Sequence, residues 1–310
     1  MSSRVGGVEE TEAMRWDDFR RSENVDDVRD QGGGGGFRFP GGGGGIGIGG
    51  LIVVGLVSWA FGIDPRLILS GLESIQGGGS GYEQQAPGQK RELSQEEKKQ
   101  GEFVGAVLAQ TEDVWTELFK ATGQQYRQPR LTLFSGQTRS ACGRAAAQMG
   151  PFYCPDDQRV YLDTEFFDEL SQKFRAPGDF ARAYVIAHEV GHHVQNQLGI
   201  MAKTMQARER ANSEEEANAI SVRVELQADC FAGVWANRAQ ARFNIIEAGD
   251  VDSALRAATA IGDDTLQKRM GGAVVPDSFT HGSSAQRVKW FKTGFQSGDP
   301  KSCNTFSGSL

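Results

Sequence analysis

The sequence predicts an α+β fold: a mainly helical domain with a small sheet, behind a single transmembrane helix. Three observations predict it. From residue 94 onward most of the chain carries apolar residues at helical spacing, and only 130–134 and 158–162 read as strands. Residues 46–63 hold no charge, a length just sufficient for a tilted bilayer crossing. Within the helical part, His188-Glu189-Val190-Gly191-His192 places two histidines one turn apart on an apolar helix.

Taken in order, residues 1–45 read as a disordered, Gly-rich tail, charged and poor in aliphatics, with glycine runs at 32–36 and 41–45. The segment 14–22, with Trp16 and Phe19 among charges, offers a short docking helix as the alternative to a solvated tail. Residues 46–63 read as the transmembrane helix. Their five glycines and lack of an amphipathic stripe disfavour a buried soluble helix. Trp59 and Phe61 suit an interface, and Gly45 with Gly49 forms a G-x-x-x-G pair for self-association. Arg29 and Arg38 before the run, against Arg66 after it, orient a single-pass protein with its N-terminus cytoplasmic and its catalytic domain periplasmic or extracellular. Residues 64–93 read as a linker and 94–310 as the folded domain.

That domain opens on a capping box, Ser94-Gln95-Glu96-Glu97, and a helix to about 122 whose Phe103, Val104, Val107, Leu108, Val114 and Trp115 form a core face. The strand at 130–134, a long loop through Cys142, and the strand at 158–162 follow; the second strand is a candidate sheet edge for pairing with an extended peptide. Asp163 and Thr164 cap a short helix, and Pro177 begins the helix that carries the histidines. After Gly199 comes a polar connection, then a helix from Ser213 to about 237. Helices at about 245–260, 263–270 and 284–296 complete the chain, with a loop at 276–282. All four cysteines follow residue 63, and an even number fits two disulfides in an oxidising compartment. Three pairings are possible; the expectation is Cys142–Cys154 as a local staple and Cys230–Cys303 as a long-range tie.

The net charge of −7 argues against a nucleic-acid partner held through its phosphates. The H-E-x-x-H stretch points instead to one Zn2+ ion. His188 and His192 supply two ligands, and Glu189 lies beside them as a general base. His193 lies about 140° round the helix from His188 and is the poorer ligand. A catalytic zinc takes three protein ligands. Glu225, on an otherwise apolar helix, is the better third ligand, since Glu214, Glu215 and Glu216 read as a solvated helix start. Asp229, one turn on, can accept the outer N–H of a ligand histidine. His281 and Arg287 are candidates to steady an oxyanion, or, for Arg287, to hold a structural carboxylate.

With these residues named, the chain resembles the bacterial neutral zinc metallopeptidase family of the YpfJ type and the gluzincin pattern. The resemblance rests on Met14-Arg15-Trp16, Arg20-Arg21-Ser22, Cys142-Gly143, Gly150-Pro151-Phe152-Tyr153-Cys154-Pro155, Val160-Tyr161-Leu162-Asp163, His188 to His193, Glu225-Leu226-Gln227-Ala228-Asp229-Cys230 and Thr280-His281-Gly282-Ser283-Ser284. It implies a zincin-like domain on a membrane anchor. The expected function is a membrane-anchored zinc peptidase acting on peptide or protein substrates. The alternatives are a non-catalytic zinc-bound membrane scaffold for protein partners, and a zinc hydrolase of a non-peptide amide.

Overall fold

The computed structural model describes residues 14–31, 91–146, 150–269, 273–308 and 310. Its architecture is mainly helical with a small sheet, as expected. Helix α1 (Gln95–Ala121) starts at the predicted box: Ser94 accepts from Glu97 N, and the Glu97 side chain returns to the Ser94 backbone. Its apolar face, with Phe103, Val107 and Trp115, is buried. Strands β1 (Val25–Asp27), β2 (Arg130–Phe134), β5 (Phe152–Cys154) and β6 (Arg159–Asp163) form one sheet in the order β1-β2-β6-β5. The β1–β2 and β2–β6 pairs are parallel, and β5–β6 is antiparallel. Strands β3 (Gln137–Ser140) and β4 (Gly143–Ala146) make a separate hairpin. A disulfide joins Cys142, beside that hairpin, to Cys154 in β5.

The sheet order corrects one expectation. Strand β6 lies between β2 and β5, so both of its backbone edges are taken and it cannot be the edge that receives a peptide. Among the described residues, the edge strand on that side is β5.

Helix α2 (Thr164–Gln172) is capped by Asp163, whose side chain accepts from Glu165 N. Helix α3 (Asp179–Gln197) carries the histidines, and its Val185, Ile186, Val190 and Val194 are buried. Helix α4 (Ile200–Glu209) occupies the stretch expected to be a polar connection; none of its residues is buried, so no apolar periodicity marked it. Helices α5 (Glu214–Phe243), α6 (Asp250–Ala260), α7 (Asp263–Arg269) and α8 (Ser284–Ser297) follow.

Helices α5 and α8 touch at their backbones. A Cβ added to Gly294 would stand 1.9 Å from the Cys230 carbonyl oxygen, and one added to Gly233 would stand 2.1 Å from the Phe291 carbonyl oxygen. Only a hydrogen on each side fits that approach. Gly294→Ala is therefore expected to destabilise the fold by about 3 kcal/mol, the upper end of ordinary overpacking. Thermal unfolding checks this: a melting temperature within about 2 °C of wild type would mean that the helices part without strain.

Residues 14–31 differ from the expected tail. Met14 and Trp16 lie in the core, and Trp16 packs edge-on against Phe103. Trp16 Nε1 donates to Asp179 Oδ2 at the start of α3, at 3.0 Å. Ser22 and Asn24 donate to the buried Glu112 carboxylate on α1, and Arg20 pairs with it. The few apolar side chains here are diluted by charged neighbours, so composition concealed them.

The transmembrane part of the expected fold is also corrected. Among the described residues no helix is long and apolar enough to cross a membrane. The transmembrane helix and the single-pass localisation, with the N-terminus cytoplasmic and the catalytic domain periplasmic or extracellular, are therefore not supported. The long helices α1 and α5 fail because charged residues interrupt them. The packing gives a second reason. Arg91 N donates to the Asp30 carbonyl at 2.9 Å, and the described residues 14–31 belong to the same compact unit as the described residues from 91 onward. A chain that crossed once between them would leave these segments on opposite sides, yet they share one core. The run 46–63, the Gly45/Gly49 pair and most of the 64–93 linker lie outside the described residues.

Candidate metal centre

The site forms where α3 and α5 come close. A Cβ on Gly191 would meet the Ala228 carbonyl oxygen at 3.0 Å, so the glycine in the gap of the histidine motif permits the approach. It brings Glu225 across to the histidines, whose rings stand 4.8 Å apart and nearly perpendicular. Glu225 Oε2 lies 3.2 Å from His188 Nε2, and Oε1 lies 3.5 Å from His192 Nε2. The three ligand atoms all fall within 4.8 Å of one another. Tetrahedral donors at zinc–ligand lengths stand about 3.4 Å apart, so the spacing fits the ion.

The outer ring nitrogens are engaged as well. His188 Nδ1 donates to Asp229 Oδ1 at 2.9 Å, and His192 Nδ1 donates to Gln195 Oε1 at 2.8 Å. With each Nδ1 donating outward, Nε2 is the nitrogen on the Glu225 side, and it is the atom each ring would offer a metal in place of a proton. Asp229 is fully buried. It accepts from Tyr184 Oη at 2.5 Å and from Arg287 Nε and Nη2 at 2.9 Å each.

The charge balance also suits a cation. Three buried or half-buried carboxylates, Glu189, Glu225 and Asp229, meet one guanidinium, that of Arg287. Burial would push Asp229 up, but the Arg287 charge and His188 hold it at about 2. Burial opposes ionisation of Glu225 too, yet the facing histidines hold it well below the carboxylate range. For His188, burial disfavours the charged ring, but the Asp229 charge and the bonds to Asp229 and Glu225 outweigh it and raise it to about 10. The donors thus attract positive charge, and their chemistry fits zinc.

The other candidates divide. Arg287 takes the second of its two expected roles: it is buried against Asp229 and Tyr184, and its Nη1 donates to the Ile261 carbonyl. His281 lines the same cleft, of about 640 Å³, as His188, Glu189 and Glu225. Its Nδ1 lies 3.2 Å from Asp263 Oδ1, while Asp263 Oδ2 accepts from the backbone N–H of Thr280, His281 and Gly282. His193 faces away, donating from Nε2 to the Arg127 carbonyl at 2.6 Å and meeting Tyr153 Oη at 3.1 Å. Burial lowers it to about 4, so it stays neutral. The four cysteines pair as expected, Cys142 with Cys154 and Cys230 with Cys303.

Three residues of the site were missed from the sequence. Tyr184 and Gln195 lie one turn before His188 and one turn after His192, and the helix-face rule could have found them. Asp263 had no local signal, because it reaches His281 across a loop.

Residues 14–306 match the family described as "Putative neutral zinc metallopeptidase". A protein of Escherichia coli K12, described as "Uncharacterized protein YpfJ", is 48% identical over 299 residues, covering 96% of this chain and 100% of that one. An uncharacterized protein of Mycobacterium bovis is 44% identical over 204 residues, covering 63% of this chain and 66% of its own. No solved structure matches.

Proposed function

The chain belongs to the neutral zinc metallopeptidase family, and from that premise we propose that it hydrolyses peptide bonds with Glu189 as general base. One observation carries this reading. Glu189 lines the same cleft as the two histidines, and its carboxylate has no hydrogen-bond or ion-pair partner among the described residues. Asp229, Glu112 and Asp163, the other deeply buried acids described above, are tied to donors. An acid that holds nothing in the protein is free to hold a water.

His188, His192 and Glu225 would hold the zinc, which when bound polarises the scissile carbonyl and lowers the pKa of water. Glu189 takes a proton from the attacking water and returns it to the leaving amine. Burial raises the Glu189 pKa, which strengthens it as a proton acceptor. The hydrogen bond to Asp263 raises the His281 pKa, and the protonated ring, with Nδ1 on Asp263, has Nε2–H left to steady the negative charge that develops on the carbonyl oxygen. Phe152, Phe166, Phe174 and Met201 supply apolar walls for substrate side chains.

A peptide library incubated with the zinc-loaded full chain, with products read by mass spectrometry, tests the reading. Cleavage that stops on chelation and returns with zinc is expected. Intact peptides alongside hydrolysis of small non-peptide amides would replace it with the amide-hydrolase alternative, and no hydrolysis of either would overturn the enzyme reading.

A further inference from the structure

The outer nitrogens of the two histidines are held by different chemistry. His188 meets an ionised carboxylate, which can only accept. His192 meets an amide, Gln195, which can present either an oxygen or an NH2 group. What decides is further out. Gln195 Nε2 donates to the Val224 carbonyl at 2.7 Å and to Gln227 Oε1 at 3.1 Å. Gln227 Nε2 in turn donates to the Cys303 carbonyl at 2.9 Å. Both amides are buried.

Main-chain carbonyls cannot donate. Gln227 must therefore turn its NH2 to Cys303 and its oxygen to Gln195. Gln195, facing that oxygen and the Val224 carbonyl, must turn its own oxygen to His192. His192 then carries its proton on Nδ1, and Nε2 keeps its lone pair on the Glu225 side. Reversing any one amide would set donor against donor or acceptor against acceptor along the line.

We propose that Gln195 and Gln227 are positioning residues that fix the tautomer and orientation of His192. The anchor of this relay is the Cys303 carbonyl, in the turn Pro300–Cys303 near the C-terminus. That turn is itself secured. Cys303 is bonded to Cys230, and Thr305 Oγ1 donates to the Arg223 carbonyl at 2.6 Å. Cys230 directly follows Asp229, the partner of His188. One disulfide therefore stands between the supports of both histidines. The far end of the chain helps to hold the metal without touching it.

The proposal rests on the metal-centre reading above, and the test separates the two. Zinc dissociation constants are measured by chelator competition on the full chain, for wild type, Gln195→Met, Gln227→Met and the double variant. Visible spectra of the Co2+-loaded proteins are recorded alongside. Gln227→Met is expected to weaken zinc binding by roughly 10- to 100-fold, the usual effect of losing a partner behind a ligand. It should also change the Co2+ spectrum, which a general loss of stability would not do. Because both residues act through one histidine, the double variant should bind within about threefold of Gln195→Met alone. If Gln227→Met fails to fold, Gln227→Leu replaces it: the volume is nearly kept, the donor to Cys303 and the acceptor for Gln195 are lost without adding a charge, and the same weakening is expected. Wild-type affinity and spectrum in the Gln227 variant, or losses that multiply in full in the double variant, would overturn the relay alone. A wild-type protein that binds no zinc would overturn the metal centre and the relay with it.

Discussion

Glu189→Gln is expected to keep zinc and fold while lowering peptide hydrolysis about 1000-fold, the middle of the range for a positioned general base. The side chain keeps its size, so the packing of α3 against α5 is unchanged. It breaks no contact, because the Glu189 carboxylate has no protein partner among the described residues. It also removes one of three acids that meet a single guanidinium, and so relieves repulsion with Glu225. What it removes is a lone pair that can take a proton; an amide oxygen at neutral pH cannot. The loss should fall on kcat, since the amide still fits any bound peptide. Zinc content, the melting curve and kcat, measured together, decide. A variant with full zinc and more than about a tenth of wild-type kcat would remove Glu189 from the proton-transfer role.

Arg287→Met should cost about 3–5 kcal/mol of folding stability, the usual penalty for stripping one partner from a buried ion pair. Asp229 is fully buried and receives two of its bonds from Arg287, at 2.9 Å each. Without the guanidinium it must stay charged in the interior with only Tyr184 and His188 to answer it, or take a proton and cease to hold His188 as an anion. Either route disturbs the fold and the zinc site together. Since a domain is held by only about 5–15 kcal/mol in all, the loss is a large share. Adding Asp229→Asn should recover part of the stability but not the zinc affinity, because the amide no longer offers His188 a charged acceptor. Urea unfolding of the zinc-free proteins measures the first effect. A change below about 1 kcal/mol would mean that water reaches Asp229 and the pair is not a buried one.

The centre of this site was legible because helical geometry is local. His188, Glu189 and His192 are fixed relative to one another by a turn of helix, and Glu225 with Asp229 by another. What joins the two turns is not local. Glu225 stood out only because it was an acid among Leu226, Ala228 and Phe231, a place where a charge needs a partner. Arg287 was legible as a residue and not as a role: sequence spacing cannot tell a guanidinium that faces substrate from one spent on a neighbouring carboxylate. The sheet was half legible. Strands β2 and β6 carry apolar residues and showed themselves, whereas β1 and β5 are three residues each and too short to show a period. Their absence from the reading is why β6 passed for an edge. The apolar run 46–63 read as a membrane helix on hydropathy alone, and hydropathy does not register that the chain on either side of it packs into one body.

That shared core also bears on the order of folding. Strand β1 is made early, but its partner β2 follows about a hundred residues later. Closing a loop of that size costs roughly 4 kcal/mol of chain entropy before any contact repays it. That cost favours docking of Met14 and Trp16 onto a helical body already formed, and until they dock one side of α1 and the first turn of α3 are uncovered. Met14 and Trp16 thus act as a seal over that face. Because Trp16 bonds to the first residue of the helix that bears His188 and His192, that seal closes on the same element that carries two of the three candidate metal ligands.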